Sequence, residues 1–178
     1  MAKKLLATQT ASASSSLSFT SGIDSTYDVY EFVFTNMHPS TDGVNFQFQV
    51  NAVGQTGFNE TITSSFFRAY HNETTAANAL AYDTRWDQAQ GTAYQNLTYT
   101  TGADNDQACS GILKLYAPSD TTYVKQFMAR FNDAQKDNYT IDDFSAGYIN
   151  TTAAIDEISF KFSSGNIDAG TIKMFGVS

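Results

Sequence analysis

The side chains able to do chemistry are scattered along this chain. Its carboxylates include two close pairs in loop-like sequence, Asp104-Asn105-Asp106 and Asp142-Asp143. Two carboxyls can cleave a glycosidic bond only when they face each other about 5–10 Å apart, one of them held protonated. Adjacency in sequence supplies neither condition, and both groups read as turn-forming Asx residues in loops. Asp104 and Asp106 place oxygen ligands at alternate positions, as calcium loops do. The glycine and distant Glu of such loops are missing, so the pair is at most a weak metal candidate.

His38, His71 and Cys109 are far apart, whereas a zinc site wants three or four ligands at tight spacing. A Cys–His catalytic pair lacks an orienting third group. The single cysteine excludes an internal disulfide and reads as a small buried hydrophobe beside a strand. Neither phosphate-binding glycine motif is present, and Gly54-Gln55-Thr56-Gly57 is a turn. Five N-x-[ST] matches, beginning at Asn59, Asn72, Asn96, Asn138 and Asn150, follow from a composition rich in Asn and Thr. No cofactor is expected, and the chain does not read as an enzyme.

Recognition of sugars is the remaining chemistry. Exposed rings stack on sugars while amides and carboxylates take hydroxyls. Tyr70, Tyr82, Trp86 and Tyr94 lie in a stretch without steady periodicity, residues 62–95, where a binding loop would sit. The plainer reading is that these rings cap the end of a core.

The elements that must position these residues are strands. Tyr27 to Phe34 carries aromatics at 30, 32 and 34 on one face. Val44, Phe46, Phe48, Val50 and Ala52 alternate with Asn45, Gln47, Gln49 and Asn51, so the two segments look like a hairpin with one wet face. Residues 62–95 read as a surface excursion with a short helix near 75–82. Strands resume at Leu97 and Tyr99, then at 111–117 and 123–131; residues 133–143 read as a polar loop, and 146–149, 155–162 and 171–177 follow as strands. The pattern predicts an all-β, antiparallel β-sandwich or jelly roll of about 8–9 strands, with no crossover helices. Residues 1–16 are expected to form an N-terminal arm or linker and 17–178 a single β-sandwich domain. Gly111-Ile112-Leu113-Lys114-Leu115-Tyr116-Ala117 is nearly repeated by Gly170-Thr171-Ile172-Lys173-Met174-Phe175-Gly176, which suggests equivalent strands in two sheets.

Composition narrows the function classes. The 178 residues are 14% aromatic and only 16% charged, with a net charge of -8; the usual charged share is about 25%. An acidic chain with no basic cluster beyond Lys3-Lys4 is repelled by phosphate backbones, so nucleic-acid binding is not expected. No apolar window approaches a membrane helix. The apolar run Leu5 to Ala7 is shorter than the roughly 7–15 residues of a signal-peptide core, and synthesis in a reducing host cytoplasm is expected.

The stretch Gly147-Tyr148-Ile149-Asn150-Thr151-Thr152-Ala153-Ala154-Ile155-Asp156-Glu157-Ile158-Ser159-Phe160, continued by Ser164-Gly165-Asn166-Ile167-Asp168-Ala169-Gly170-Thr171-Ile172-Lys173-Met174-Phe175-Gly176-Val177, resembles the end of virion proteins of tailed, marine and cyanobacterial-type bacteriophages. Met174-Phe175 stands where that pattern usually has Leu-Tyr. Ile23 to Tyr30 and Asn36 to Ser40 resemble the same proteins. The resemblance implies a non-enzymatic virion structural protein with a jelly-roll-like β-domain. A capsid-decoration or head-surface role is expected ahead of a tail, tail-fibre or glycan-binding (receptor-binding) role. Its partners would be other virion proteins and sister copies, a trimer being favoured, with a host-surface glycan as a further partner.

Overall fold

Alternating apolar residues make strands, and strands with one apolar face must pair their sheets. The computed structural model describes residues 2–74 and 76–178. It is all-β, with two antiparallel sheets packed as a sandwich. Twelve strands occur among the described residues: β1 Lys3–Thr10, β2 Leu17–Phe19, β3 Val29–Pro39, β4 Phe46–Ala52, β5 Ile62–Asn72, β6 Asn78–Tyr82, β7 Gln95–Asn96, β8 Cys109–Tyr116, β9 Lys125–Gln135, β10 Tyr139–Ile149, β11 Ile155–Phe162 and β12 Ile167–Val177. Eight form a large sheet in the order β1-β12-β3-β8-β9-β10-β5-β6; four form a small one, β2-β11-β4-β7.

The core is aromatic where the sheets overlap. Tyr30, Phe32 and Phe34 on β3 point inward, as do Phe46 and Phe48 on β4 and Phe160 and Phe162 on β11. The Phe34 ring lies 5.5 Å from Phe46, 5.0 Å from Phe131 and 4.9 Å from Phe160, centre to centre. Such tilted and edge-on pairs add roughly 0.5–1.5 kcal/mol each beyond the area they bury.

The repeated strands are β8 and β12, and they lie in one sheet, on opposite sides of β3. Leu113 and Met174 both pair with Phe32, one from each side. Their glycines have a steric reason. A Cβ on Gly111 would lie 2.5 Å from the Phe131 ring and the Arg130 carbonyl, and one on Gly170, whose φ is +128°, would lie 2.7 Å from the Asn36 carbonyl.

Several expectations are corrected. Residues 3–10 are not a free arm or linker: they form β1, an edge strand paired with β12 from Lys3↔Val177 to Thr10↔Thr171, with one register shift between Leu5 and Ala7. The 27–34 and 44–52 strands are no hairpin, since β3 and β4 belong to different sheets. The outer face of β4 is not wet either: Gln49 is buried, its amide donating to the carbonyls of Glu60, Thr92 and Ala93. Within 62–95, residues 62–72 are a full strand, β5, and 78–82 are strand β6 rather than helix; Thr75, the first residue of that expected helix, lies outside the described residues. Residues 133–143 are not a loop but the closing end of the β9–β10 hairpin.

Candidate functional site

Four strands cannot roof eight. On the inner face of the large sheet, the core row Phe34–Gly111–Phe131 continues across β10 and β5 as Asp143 and Arg68. The next row runs Met37–Cys109–Asp133–Ile141–Tyr70. Polar groups therefore occupy inward positions where the small sheet gives out, and the segments around Asp83–Trp86 and Thr98–Thr101 cover them.

Asp133 and Asp143 are fully buried. Burial, reinforced by the neighbouring Asp143 carboxyl, pushes Asp133 well above the usual carboxylate range. Neither of its oxygens has a hydrogen-bond partner in the structure, and the nearby Thr101 hydroxyl offsets little. Burial also pushes Asp143 up to about 8, against the pull of the Tyr99 N–H and the Arg68 charge. The Tyr99 N–H donates to Asp143 Oδ2 at 3.1 Å. Burial thus favours the protonated form of both acids. The same burial raises the Cys109 thiol far above its ordinary value, with Asp133 adding to the shift.

Arg68 lies over Tyr99, its guanidinium carbon 3.7 Å from the ring centre and 5.2 Å from that of Tyr70. It pairs with Asp83 at 3.3 Å. Arg85 forks onto the same carboxylate, with Nε 2.8 Å from Oδ1 and a terminal nitrogen 2.7 Å from Oδ2. Those bonds to Arg85 are the main reason Asp83 stays below the usual carboxylate range. Trp86 meets Tyr99 edge-on at 5.7 Å. Beside this cluster opens a cavity of about 240 Å³ lined by Arg68, Tyr70, Tyr99, Gln135, Asp137 and Tyr139, with Ile141 as its floor.

No family model, curated protein or solved structure matches this chain.

Of the four rings expected to bind sugar, Tyr70 lines the cavity and Trp86 backs its Tyr99 wall. Tyr82 stands on the opposite face of β6, paired with Phe67 and donating to Asp87 at 2.6 Å. Tyr94 lies under the Lys161 ammonium at 4.2 Å, against β11 of the small sheet. The four therefore do not converge. Asp104 and Asp106 are exposed in a turn closed by Gln107, which receives the Asp104 N–H and donates to its carbonyl. Among the described residues no three His, Cys, Asp or Glu side chains gather as a metal site would require.

Arg68, Tyr99, Gln135, Asp137 and Tyr139 were outside the sequence expectation. One signal pointed to them: on β9 the apolar series Phe127, Ala129, Phe131 continues at the same parity as Asp133 and Gln135.

A second region is the outer face of the large sheet. A cross-strand row runs Val33–Ile112–Arg130–Phe144–Phe67–Tyr82. Phe67 and Phe144 stack at 4.7 Å, and Arg130 lies 4.8 Å over Phe144 while forking onto Asp142. Met128, Leu80, Ile112 and Tyr82 are exposed beside them. A groove of about 320 Å³ runs between Ile112, Tyr116, Met128 and Phe144.

Proposed function

We propose that this chain is a non-enzymatic structural subunit of a tailed-bacteriophage virion that works through contacts with sister copies, on the particle surface and most simply on the head. The virion assignment rests on the sequence resemblance of residues 147–177. The assembly role rests on one observation, the apolar outer face of the eight-stranded sheet. Contiguous exposed apolar surface on a soluble protein marks a contact site.

The occupant of that face is a second copy of this chain. Over the sheet's whole outer face Lys3, Lys114, Arg130 and Lys173 stand against Glu31 and Asp142, with Asp87 at the Tyr82 end, so the face is slightly cationic on a molecule whose net charge is -8. The acidic excess lies elsewhere. The face thus complements a different side of the next copy rather than itself. Such a heterologous contact closes into a ring when the rotation allows, and a trimer is the smallest ring.

Light scattering of the purified chain tests this. The expected result is an oligomer that loosens with added salt and falls to monomer in Phe67→Glu/Met128→Glu, with an unchanged far-ultraviolet spectrum. A wild-type chain that stays monomeric at every concentration, or an oligomer indifferent to both substitutions, overturns the assembly role. Immunogold labelling of the phage particle tests location: absence of the chain from purified particles overturns the virion reading, and label on the tail moves it from the head.

A further inference from the structure

We infer that the cavity between Arg68, Tyr70, Tyr99, Gln135, Asp137 and Tyr139 is a binding site for one neutral pyranose ring at the end of a glycan. The inference is independent of the assembly role, because the cavity opens from the inner side of the large sheet and the contact face is the outer side.

Size comes first. At about 240 Å³ the cavity is smaller than the roughly 300–1,000 Å³ that drug-sized ligands fill, so it suits a single ring. Its walls come next. Tyr70 and Tyr139 meet at 5.7 Å and 73°, giving an aromatic corner, and Tyr99 closes the third side. A pyranose presents axial C–H groups to such rings and hydroxyls at its edge, and it needs polar groups at the rim that both donate and accept. The phenol hydroxyls of Tyr70 and Tyr139 make no hydrogen bond among the described residues, so both can do either. Asp137 stands at the mouth, 58% exposed, with acceptor capacity beyond its bonds to Lys136 and Gln135.

The site is held firmly. Gln135 is buried; its amide donates to Thr100 Oγ1 at 2.9 Å and its carbonyl receives the Asp137 N–H at 2.7 Å. Gln135 is therefore a positioning residue for Asp137. Arg68 is fixed by Tyr99 and Asp83, so the corner is formed before any ligand arrives. Charge decides the class of sugar. Each charge at the wall already has a partner, Arg68 and Arg85 in Asp83 and Asp137 in Lys136. An anionic uronate or sialate would have to break one of these pairs, whereas a neutral hexose can donate hydroxyls to the exposed Asp137 oxygens.

The test is a glycan array of neutral, N-acetylated and acidic terminal sugars probed with the full chain, followed by titration with the free monosaccharide of the strongest spot. Trp86 is the only tryptophan and touches Tyr99, so its emission reports occupancy. The expected result is binding to neutral termini with a change in Trp86 emission, weakened at least tenfold by Asp137→Asn and by Tyr139→Phe, and unchanged in Tyr94→Ala. Asp137 is exposed and Tyr139→Phe removes only a hydroxyl, so both variants keep the fold, as circular dichroism would check. No binding to any spot, binding confined to acidic sugars, or binding that survives both substitutions overturns the inference.

Discussion

The buried acids Asp133 and Asp143 make folding stability fall as pH rises through the range where most proteins gain it. Both folded-state values lie above the ordinary 3.8 of an aspartate. Above about pH 4 the unfolded chain has released protons that the folded chain still holds, so stability drops with pH. For Asp143 the loss levels off above its folded value of about 8. One proton's difference is worth about 1.4 kcal/mol per pH unit, so Asp143 alone should remove about 2–3 kcal/mol between pH 5 and 7. With a urea dependence of about 2 kcal/mol/M, the unfolding midpoint should fall by roughly 1 M, and further as Asp133 adds its share. The groups facing this pair are Arg68, directly across from Asp143, with Asp83, Asp142 and Cys109 nearby. Asp24, Asp83, Asp120 and Asp137 are held below the usual range, so their stabilisation is complete above pH 4 and is lost only below it. Their slope is opposite in sign and outside the window. Urea unfolding at pH 5, 6, 7 and 8 measures the effect. Asp133→Asn/Asp143→Asn keeps shape and every other carboxylate, so it should flatten the profile. A wild-type midpoint that is constant or rises from pH 5 to 7, or an equal fall in the double variant, refutes the reasoning.

Phe46→Ala should lower stability by about 3–5 kcal/mol, because Phe46 is fully buried and meets Phe34, Phe131, Phe160 and Phe162; chemical unfolding checks it. Gln49→Ala should cost about 1–3 kcal/mol by leaving buried carbonyls unpaired, whereas Gln47→Ala, which loses one bond to Asn96, should cost under about 1 kcal/mol. Deleting residues 1–10 should leave a folded chain that aggregates through the bared edge of β12, whereas deletion through Phe19 should prevent folding, since Ala11, Leu17 and Phe19 lie in the core; sedimentation and circular dichroism separate the two. Cys109 should resist thiol reagents at pH 8 until the chain is unfolded in urea, because burial keeps its thiol protonated and out of reach.

The strands with uninterrupted alternation were legible from sequence. Phe46 to Ala52 and Ile155 to Phe162 became β4 and β11, and the inward residues of β3 were those carrying rings. What alternation could not give was pairing. A period of two is the same whether the next strand lies beside its predecessor or across the core, so β3 and β4 read as a hairpin although they face each other. Lys3 to Thr10 was illegible for another reason: an edge strand held by backbone bonds needs no apolar face, and most of β1 is exposed. Asp133 to Asp143 misled because a polar residue on a strand was taken as a loop residue, when the surrounding sheet had room for it inside.

Both candidate regions depart from the same rule, in opposite directions. In a two-layer protein the inner face of each sheet is apolar and the outer polar. Here Asp133, Gln135, Asp143 and Arg68 point inward, and Ile112, Met128, Phe144 and Phe67 point outward. The inequality of the sheets accounts for the first. Past the edge strand β7 the inner face has no opposing strand, so it is roofed by irregular segments whose backbone groups need partners. Polar side chains there supply them, as the Tyr99 N–H on Asp143 shows. No such internal demand exists for the outward rings. Phe67 and Phe144 stack on each other, yet Phe67 remains 40% exposed and Met128 57% exposed. A β-branched or polar residue would serve the strand as well at either position. The outward face therefore carries the stronger indication of a partner, while the inward cluster answers a demand of the fold itself and frames the cavity beside it.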